Sequence, residues 1–149
     1  MIDHAALARA LFTQGYNCAQ SVLCAFGDVT GLDTEAAARM ASSFGGGLGR
    51  LREVCGAVSG AALVLGIARG YADPADAQAK KDHYHRVQTF ARRFQAENGS
   101  YICRELLSGV RTAPGDDPEA RTAEYYKKRP CPDLVWQAAH ILEAMLGEE

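Results

Sequence analysis

The sequence predicts an all-α protein, a single-domain bundle of about six to seven helices around an apolar, glycine-rich central helix. Three observations predict it. Apolar residues recur three and four apart in most segments, the spacing of one helix face. Glycine, proline and Asn, Asp or Ser caps punctuate the chain at helix-length intervals. No segment shows the strict alternation of a half-buried strand. A length of 149 residues suits one domain spanning residues 1–149. Such a chain buries about 68–70% of its unfolded surface and needs no staples to fold.

The elements follow in order. Asp3 to Gln14 carries Leu7, Ala10 and Leu11 at helical spacing, and Gly15 stops it. Asn17 is a good N-cap for a second helix with an apolar stripe of Ala19, Val22, Leu23 and Phe26. Asp33 or Thr34 caps a third, Glu35 to Ser42. The run Phe44-Gly-Gly-Gly-Leu-Gly49 is too flexible for a helix. A fourth helix runs from about Cys55 to Arg69, apolar nearly all round and therefore central. Its Gly56/Gly60 and Gly66/Gly70 pairs invite close approach by neighbouring helices, by analogy with membrane helix pairs.

Asp73-Pro74 reads as a cap followed by proline in the first turn. The helix it opens turns Val87, Phe90, Ala91 and Phe94 to one side and stops at Asn98-Gly99. Ser100 caps a short helix through Leu107. A polar surface loop with Pro114 and Pro118 follows, in which Asp117-Pro118 repeats the cap-then-proline signal. The last helix follows Cys131-Pro132 and faces Leu134, Val135, Ala138, Ile141, Leu142 and Met145 inward.

A formal net charge of −2 and 23% charged residues give neither the basic excess of a nucleic-acid binder nor an acidic tail. Asp3 and Arg9 interrupt the N-terminal stretch where an export signal would be continuously apolar. The longest uncharged run, Val54 to Ala68, falls short of the roughly 20 residues of a membrane span. The expected location is cytoplasmic, where cysteines favour metal or redox chemistry over structural disulfides. That makes five cysteines the odd feature of the composition.

Their positions are more telling than their number. Cys18 follows the Asn17 cap, Cys55 opens the central helix, Cys103 lies three residues after Ser100, and Cys131 is the expected cap before Pro132. Four of the five thus fall at a helix N-terminus, where unpaired N–H groups and about half a positive charge favour thiolate. Arg50 and Arg52 precede Cys55, Arg104 follows Cys103, and Lys127-Lys128-Arg129 precedes Cys131, adding positive charge. Cys24 differs: it lies mid-helix, about 150° from its helix's apolar stripe, and reads as packing. There is no Cys-x-x-Cys, so neither a thioredoxin-type pair nor a zinc knuckle is present, and no Cys-x-x-Cys-His haem motif. Separations of 37, 48 and 28 residues mean that tertiary packing must assemble any joint site.

Cys55-Gly-Ala-Val-Ser-Gly60, with a cysteine on either side in Asn17-Cys18-Ala-Gln-Ser and Cys103-Arg-Glu-Leu-Leu, and a fourth at Cys131, resembles the C_GCAxxG_C_C family. Its members are prokaryotic proteins of similar length, defined by four cysteines and named for redox activity. The resemblance implies that Cys18, Cys55, Cys103 and Cys131 are those four; Cys24 matches no family position. It also implies a redox partner protein, or an oxidoreductase or transporter system, as the setting. It supplies no substrate and no cofactor.

Other motifs carry less. Phe44 to Gly49 lacks the Gly-Lys-Ser/Thr ending of a phosphate loop and follows no strand, so its expected role is a sharp turn close to Cys55, with free N–H groups for an anion or sulfur ligand. His83 and His85 flank Tyr84, point to different helix faces and read as solvated, and His140 reads as a surface histidine. Tyr125-Tyr-Lys-Lys-Arg129 is too short for nucleic acid and reads as electrostatic support for Cys131.

Three functions remain open. In the first, the four cysteines perform thiol–disulfide chemistry without a cofactor, with Cys55 as the attacking thiolate. In the second, the same four ligate zinc or an iron–sulfur cluster. In the third, the bundle is a structural or interaction module whose cysteines only pack. Its glycine-packed helix and small apolar faces also permit a homodimer.

Overall fold

A computed structural model of the chain describes residues 1–112 and 115–148; Pro114 of the expected loop lies outside them. Nine α-helices are present among the described residues: α1 (His4–Thr13), α2 (Cys18–Ala25), α3 (Gly27–Thr30), α4 (Thr34–Ala41), α5 (Gly56–Arg69), α6 (Ala77–Asn98), α7 (Cys103–Leu106), α8 (Ala123–Lys128) and α9 (Cys131–Gly147). A 3₁₀ turn, Ser42–Phe44, follows α4. No strand forms among these residues, and one isolated antiparallel bridge joins Val54 to Ile102. The all-α bundle is as the periodicity predicts. Two short helices, α3 and α8, escape a pattern that needs more than one turn to show.

Some caps are the expected ones and others are not: Ile102, not Ser100, occupies the cap of α7, and the Ser100 hydroxyl accepts from the Ile102 N–H at 3.0 Å. Asp3 accepts from the Ala6 N–H, and Asp33 from that of Ala36. Asn17 and Gln20 form a reciprocal capping box at α2. Gly99, at φ +89°, ends α6 in the left-handed conformation. The two Asp-Pro signals start no helix. Asp73 closes a turn onto the Ala75 N–H at 2.9 Å, and Asp76, three residues on, caps α6. Asp117-Pro118 stays in the loop, and α8 begins instead behind Thr122, whose hydroxyl accepts from the Tyr125 N–H.

α1 packs on α9 and α2, α2 packs on α5 and α4, and α6 lies across α5 and α9. The centre is shared by α2 and the first half of α5, since α5 emerges to the surface at Gly66 and Ile67. The core is aromatic in the middle, with Phe12, Phe26, Phe90 and Phe94 fully buried. α1 turns Ala5, Ala8 and Phe12 inward and leaves Leu7 exposed. An alanine-rich helix has two faces of similar hydropathy, and contact with α2 and α9 decides between them.

Of the two glycine pairs, Gly56/Gly60 is the one that permits close packing. A Cβ on Gly60 would lie 2.7 Å from the Ala19 carbonyl oxygen, and one on Gly56 3.1 Å from Cys18 Cβ. Gly66 has nothing within 4 Å. His4 pins three helices together: its ring nitrogens face Asp28 after α2 at 2.9 Å and Glu143 of α9 at 2.5 Å, and it stacks on Phe26. His83 is buried against Tyr71 rather than solvated, accepting from Arg86 at 3.2 Å. His85 and His140 are exposed, the latter stacked on Trp136.

Candidate functional site

The four cysteines expected from their helix positions meet in one cavity of about 60 Å³. Cys18 is the first residue of α2, Cys103 of α7 and Cys131 of α9, while Cys55 is the N-cap of α5. Pro130, not Cys131, occupies the cap of α9, a shift of one residue that keeps the thiol in the first turn. All four are free thiols. Cys24 stays outside, its Sγ 3.7 Å from the Thr34 carbonyl oxygen.

Three devices bring these helix ends together. Residues 53–55 run antiparallel to 101–103: Cys55 N–H donates to the Tyr101 carbonyl at 2.9 Å, and Cys103 N–H to that of Glu53 at 2.6 Å. This fixes α5 and α7 side by side at their N-termini. Gly56, without a side chain, lets α2 bring Cys18 against α5. The glycine loop then folds over Cys103, since a Cβ on Gly47 would lie 2.7 Å from Cys103 Cβ.

The loop is wound left-handed. Gly46, Gly47, Leu48, Gly49 and Arg50 all have φ between +52° and +72°, and Arg52 follows at +62°. For the non-glycine members this costs about 1–2 kcal/mol each. Wide-reaching hydrogen bonds hold the turn, among them Gly49 to Ser43 at 2.8 Å and Glu53 to Gly47 at 2.9 Å. The N–H groups of residues 48–53 serve the loop's own carbonyls, so those of Leu48 and Gly49 do not turn to a ligand. What the loop presents instead is arginine.

Arg52 donates to Cys103 Sγ at 3.8 Å, so its partner is not the neighbouring Cys55. Arg104 turns away to the Arg52 carbonyl and to Glu53, and Lys128 pairs with Glu124. The cation of the Lys127-Lys128-Arg129 run that reaches Cys131 is Arg129. A second, Arg121, has no sequence signal. It donates to the Phe12 carbonyl at 2.9 Å and the Tyr16 carbonyl at 3.1 Å, and lies over the rings of Phe12 and Tyr125. Arg129 also lies over the Tyr125 ring, 4.9 Å from its centre. Aromatic faces thus clamp both guanidiniums in the cavity wall.

The four thiols differ in acidity. Cys131 is held down to about 7 by a hydrogen bond from the Cys18 thiol, which with Arg129 and Arg121 outweighs burial. Cys18 pays the reverse: donating to Cys131 and buried beside the other sulfurs, it is held well above its usual range. Burial pushes Cys55 up to about 12, although the Ala57 and Val58 N–H groups pull the other way. Burial also raises Cys103, against the hydrogen bond and charge of Arg52. Of the four, Cys131 is thus the thiol held lowest, whereas Cys55, the thiolate expected from the sequence, is pushed up. A helix N-terminus does not outweigh desolvation without a charged or thiol donor beside it.

Among the described residues, no three His, Cys, Asp or Glu side chains are disposed to hold a metal ion. The shared cavity therefore lacks a prepared ligand set for the zinc or cluster reading. No helix among them is long and apolar enough to cross a membrane.

The sequence profile of a family described as "Putative redox-active protein (C_GCAxxG_C_C)" matches residues 16–145. The chain belongs to this family. The match begins just before Cys18 and ends in α9, so it takes in all four cysteines of the cavity. Neither a curated protein nor a solved structure matches the chain.

Proposed function

We propose that this C_GCAxxG_C_C protein performs thiol–disulfide exchange with Cys131 as the attacking thiolate and Cys18 as the resolving thiol. The observation that carries this reading is the meeting of Cys18 and Cys131 in one small cavity that Arg121 and Arg129 also line. One sulfur is thereby negative near neutral pH, and the other keeps its proton.

Cys131 attacks one sulfur of a substrate disulfide, forming a mixed disulfide and releasing a thiolate that takes up a proton. That step removes the negative charge from Cys131. Both its hydrogen bond and its charge, which hold the proton on Cys18, vanish together. Cys18 then ionises, attacks Cys131 Sγ and expels the second substrate thiol. Two protein thiols become one disulfide, and one substrate disulfide becomes two thiols. A dithiol on a redox partner restores the reduced pair by the reverse exchange. Cys55 and Cys103 line the same cavity, and in this reading they pass the disulfide onward.

Mild oxidation of the reduced protein followed by peptide mass mapping tests the assignment. The first link formed is expected to join Cys18 and Cys131. A first link between Cys55 and Cys103, or no internal link, overturns it. One zinc per chain, lost on thiol alkylation, would favour the metal reading instead.

A further inference from the structure

Next to the sulfur cavity lies a second, of about 400 Å³, which shares Asn17, Gly46, Arg52, Arg121, Tyr125 and Arg129 with it. Four arginines line this vestibule, Arg50, Arg52, Arg121 and Arg129, against two acids, Asp116 and Glu119. The charges are built in rather than displayed on a solvated surface. The Arg129 side chain is 5% exposed and that of Arg50 14%. Arg50 is anchored to the Gly115 and Asp117 carbonyls, and Arg121 to those of Phe12 and Tyr16. Glu119 is shared by Arg129, Arg50 at 3.4 Å and Arg52 at 3.8 Å. Four guanidiniums against two carboxylates leave the vestibule net positive, which favours an anionic group there.

The inner cavity has a different character. It is small, and Phe12, Leu106, Leu107 and Leu134 contribute to its walls beside the sulfurs. Arg52, Arg121 and Arg129 line both cavities, so a substrate that spans them can set anionic groups in the vestibule and its reacting atom among the sulfurs. Resting on the exchange reading above, we propose that the substrate is a small disulfide bearing carboxylate groups, its carboxylates held by Arg50, Arg52 and Arg129 in the vestibule and its sulfurs presented to Cys131. The reaction is the exchange already described: Cys131 and Cys18 lose two electrons to the substrate S–S bond, and two carboxylate-bearing thiols leave.

Three disulfides of different charge test this: oxidised glutathione (anionic), 2-hydroxyethyl disulfide (neutral) and cystamine (cationic). Each second-order rate of oxidation of the reduced full-length protein is divided by the rate of the same disulfide with dithiothreitol, which removes intrinsic reactivity. The anionic disulfide is expected to lead the neutral one by about tenfold, with the cationic one slowest. The spread is expected to collapse at 1 M salt, where screening acts within about 3 Å. Arg50→Gln is expected to lower the anionic-to-neutral ratio and Glu119→Gln to raise it. Glu119→Gln and the salt series keep the test intact should Arg50→Gln fold poorly. Equal or reversed relative rates, or faster oxidation by arsenate than by oxidised glutathione, overturn the substrate assignment. If the neutral disulfide still yields a Cys18–Cys131 link, the exchange reading survives that result. If no oxidant yields the link, the exchange reading falls first.

Discussion

The N-termini of α5 and α9 each present a cysteine to the same cavity, and the two thiols are driven in opposite directions. Cys55 caps a 14-residue helix and is 3% exposed; Cys131 begins a 17-residue helix and is 7% exposed. Neither helix length nor burial separates them. The neighbours do. Cys55 meets two backbone N–H groups and the charge of other sulfurs, whereas Cys131 meets a thiol donor and two guanidiniums. Partial charges at a helix end offset part of the desolvation of a buried anion, and a full charge or a dedicated donor must supply the remainder.

The largest test of this contrast is kinetic. At pH 7 a thiol with a pKa of about 7 is half ionised, and one near 9 only about 1%. Cys131→Ser is expected to cut the rate of iodoacetamide modification at pH 7 by more than about tenfold, allowing for the lower nucleophilicity of an acidic thiolate. Cys55→Ser is expected to change it less than about twofold. A fast thiol that survives Cys131→Ser and disappears in Cys55→Ser would reverse the comparison.

Stability against pH should carry the same two signs. Cys131 is depressed on folding, so its contribution is complete above its unfolded pKa of about 9 and disappears as pH falls through about 7. Cys55 is raised, so its contribution is complete below about 9 and disappears as pH climbs towards 12. The Cys131 window is worth up to about 3 kcal/mol and the Cys55 window up to about 4 kcal/mol. Urea unfolding from pH 6 to 11 is expected to show stability rising between 7 and 9 and falling beyond. Cys131→Ser should flatten the rise and Cys55→Ser should soften the fall.

Gly60→Ala probes why Cys55 is so dry. Its Cβ would press on the Ala19 carbonyl at 2.7 Å, between two backbones that have no flexible side chain to yield. The expected cost is about 1–3 kcal/mol, read in the same urea titration. If α2 and α5 part, water should reach Cys55 and its alkylation at pH 9 should rise. Unchanged stability would show that this contact is slack.

The finest test separates the donors at Cys131. Cys18→Ala removes the thiol hydrogen bond, while Cys18→Ser retains a donor. The alkylation midpoint is expected to rise by about one pH unit in the first and to stay closer to its original value in the second, a difference of about 1.4 kcal/mol. Arg129→Gln is expected to raise it by a similar or smaller amount. Equal midpoints for Cys18→Ala and Cys18→Ser would assign the depression to the arginines alone.

Much of this was legible in advance, and the limits have physical causes. Capping chemistry is local, so Asn17, Asp33 and Gly99 mark true helix boundaries. It is also ambiguous where two caps lie close together, as with Asp73 and Asp76. α3 and α8, of four and six residues, carry too little period to read. Cysteine placement at four helix starts survives a shift of one residue at Cys131, because the first turn as a whole presents N–H groups. Arg121 and Glu119 were invisible. Their roles depend on reaching across the fold to Phe12, Tyr16 and the guanidiniums, and no spacing along the chain encodes that.

By itself, then, the sequence determined an all-α bundle, the four cysteines that meet in one cavity and the one that stays outside it. Those properties depend on neighbours within a helical turn or two. Which thiol is ionised was decided only when the helix ends converged. Desolvation and charge act through space, and a buried sulfur takes its acidity from whatever the tertiary structure sets within a few ångströms of it.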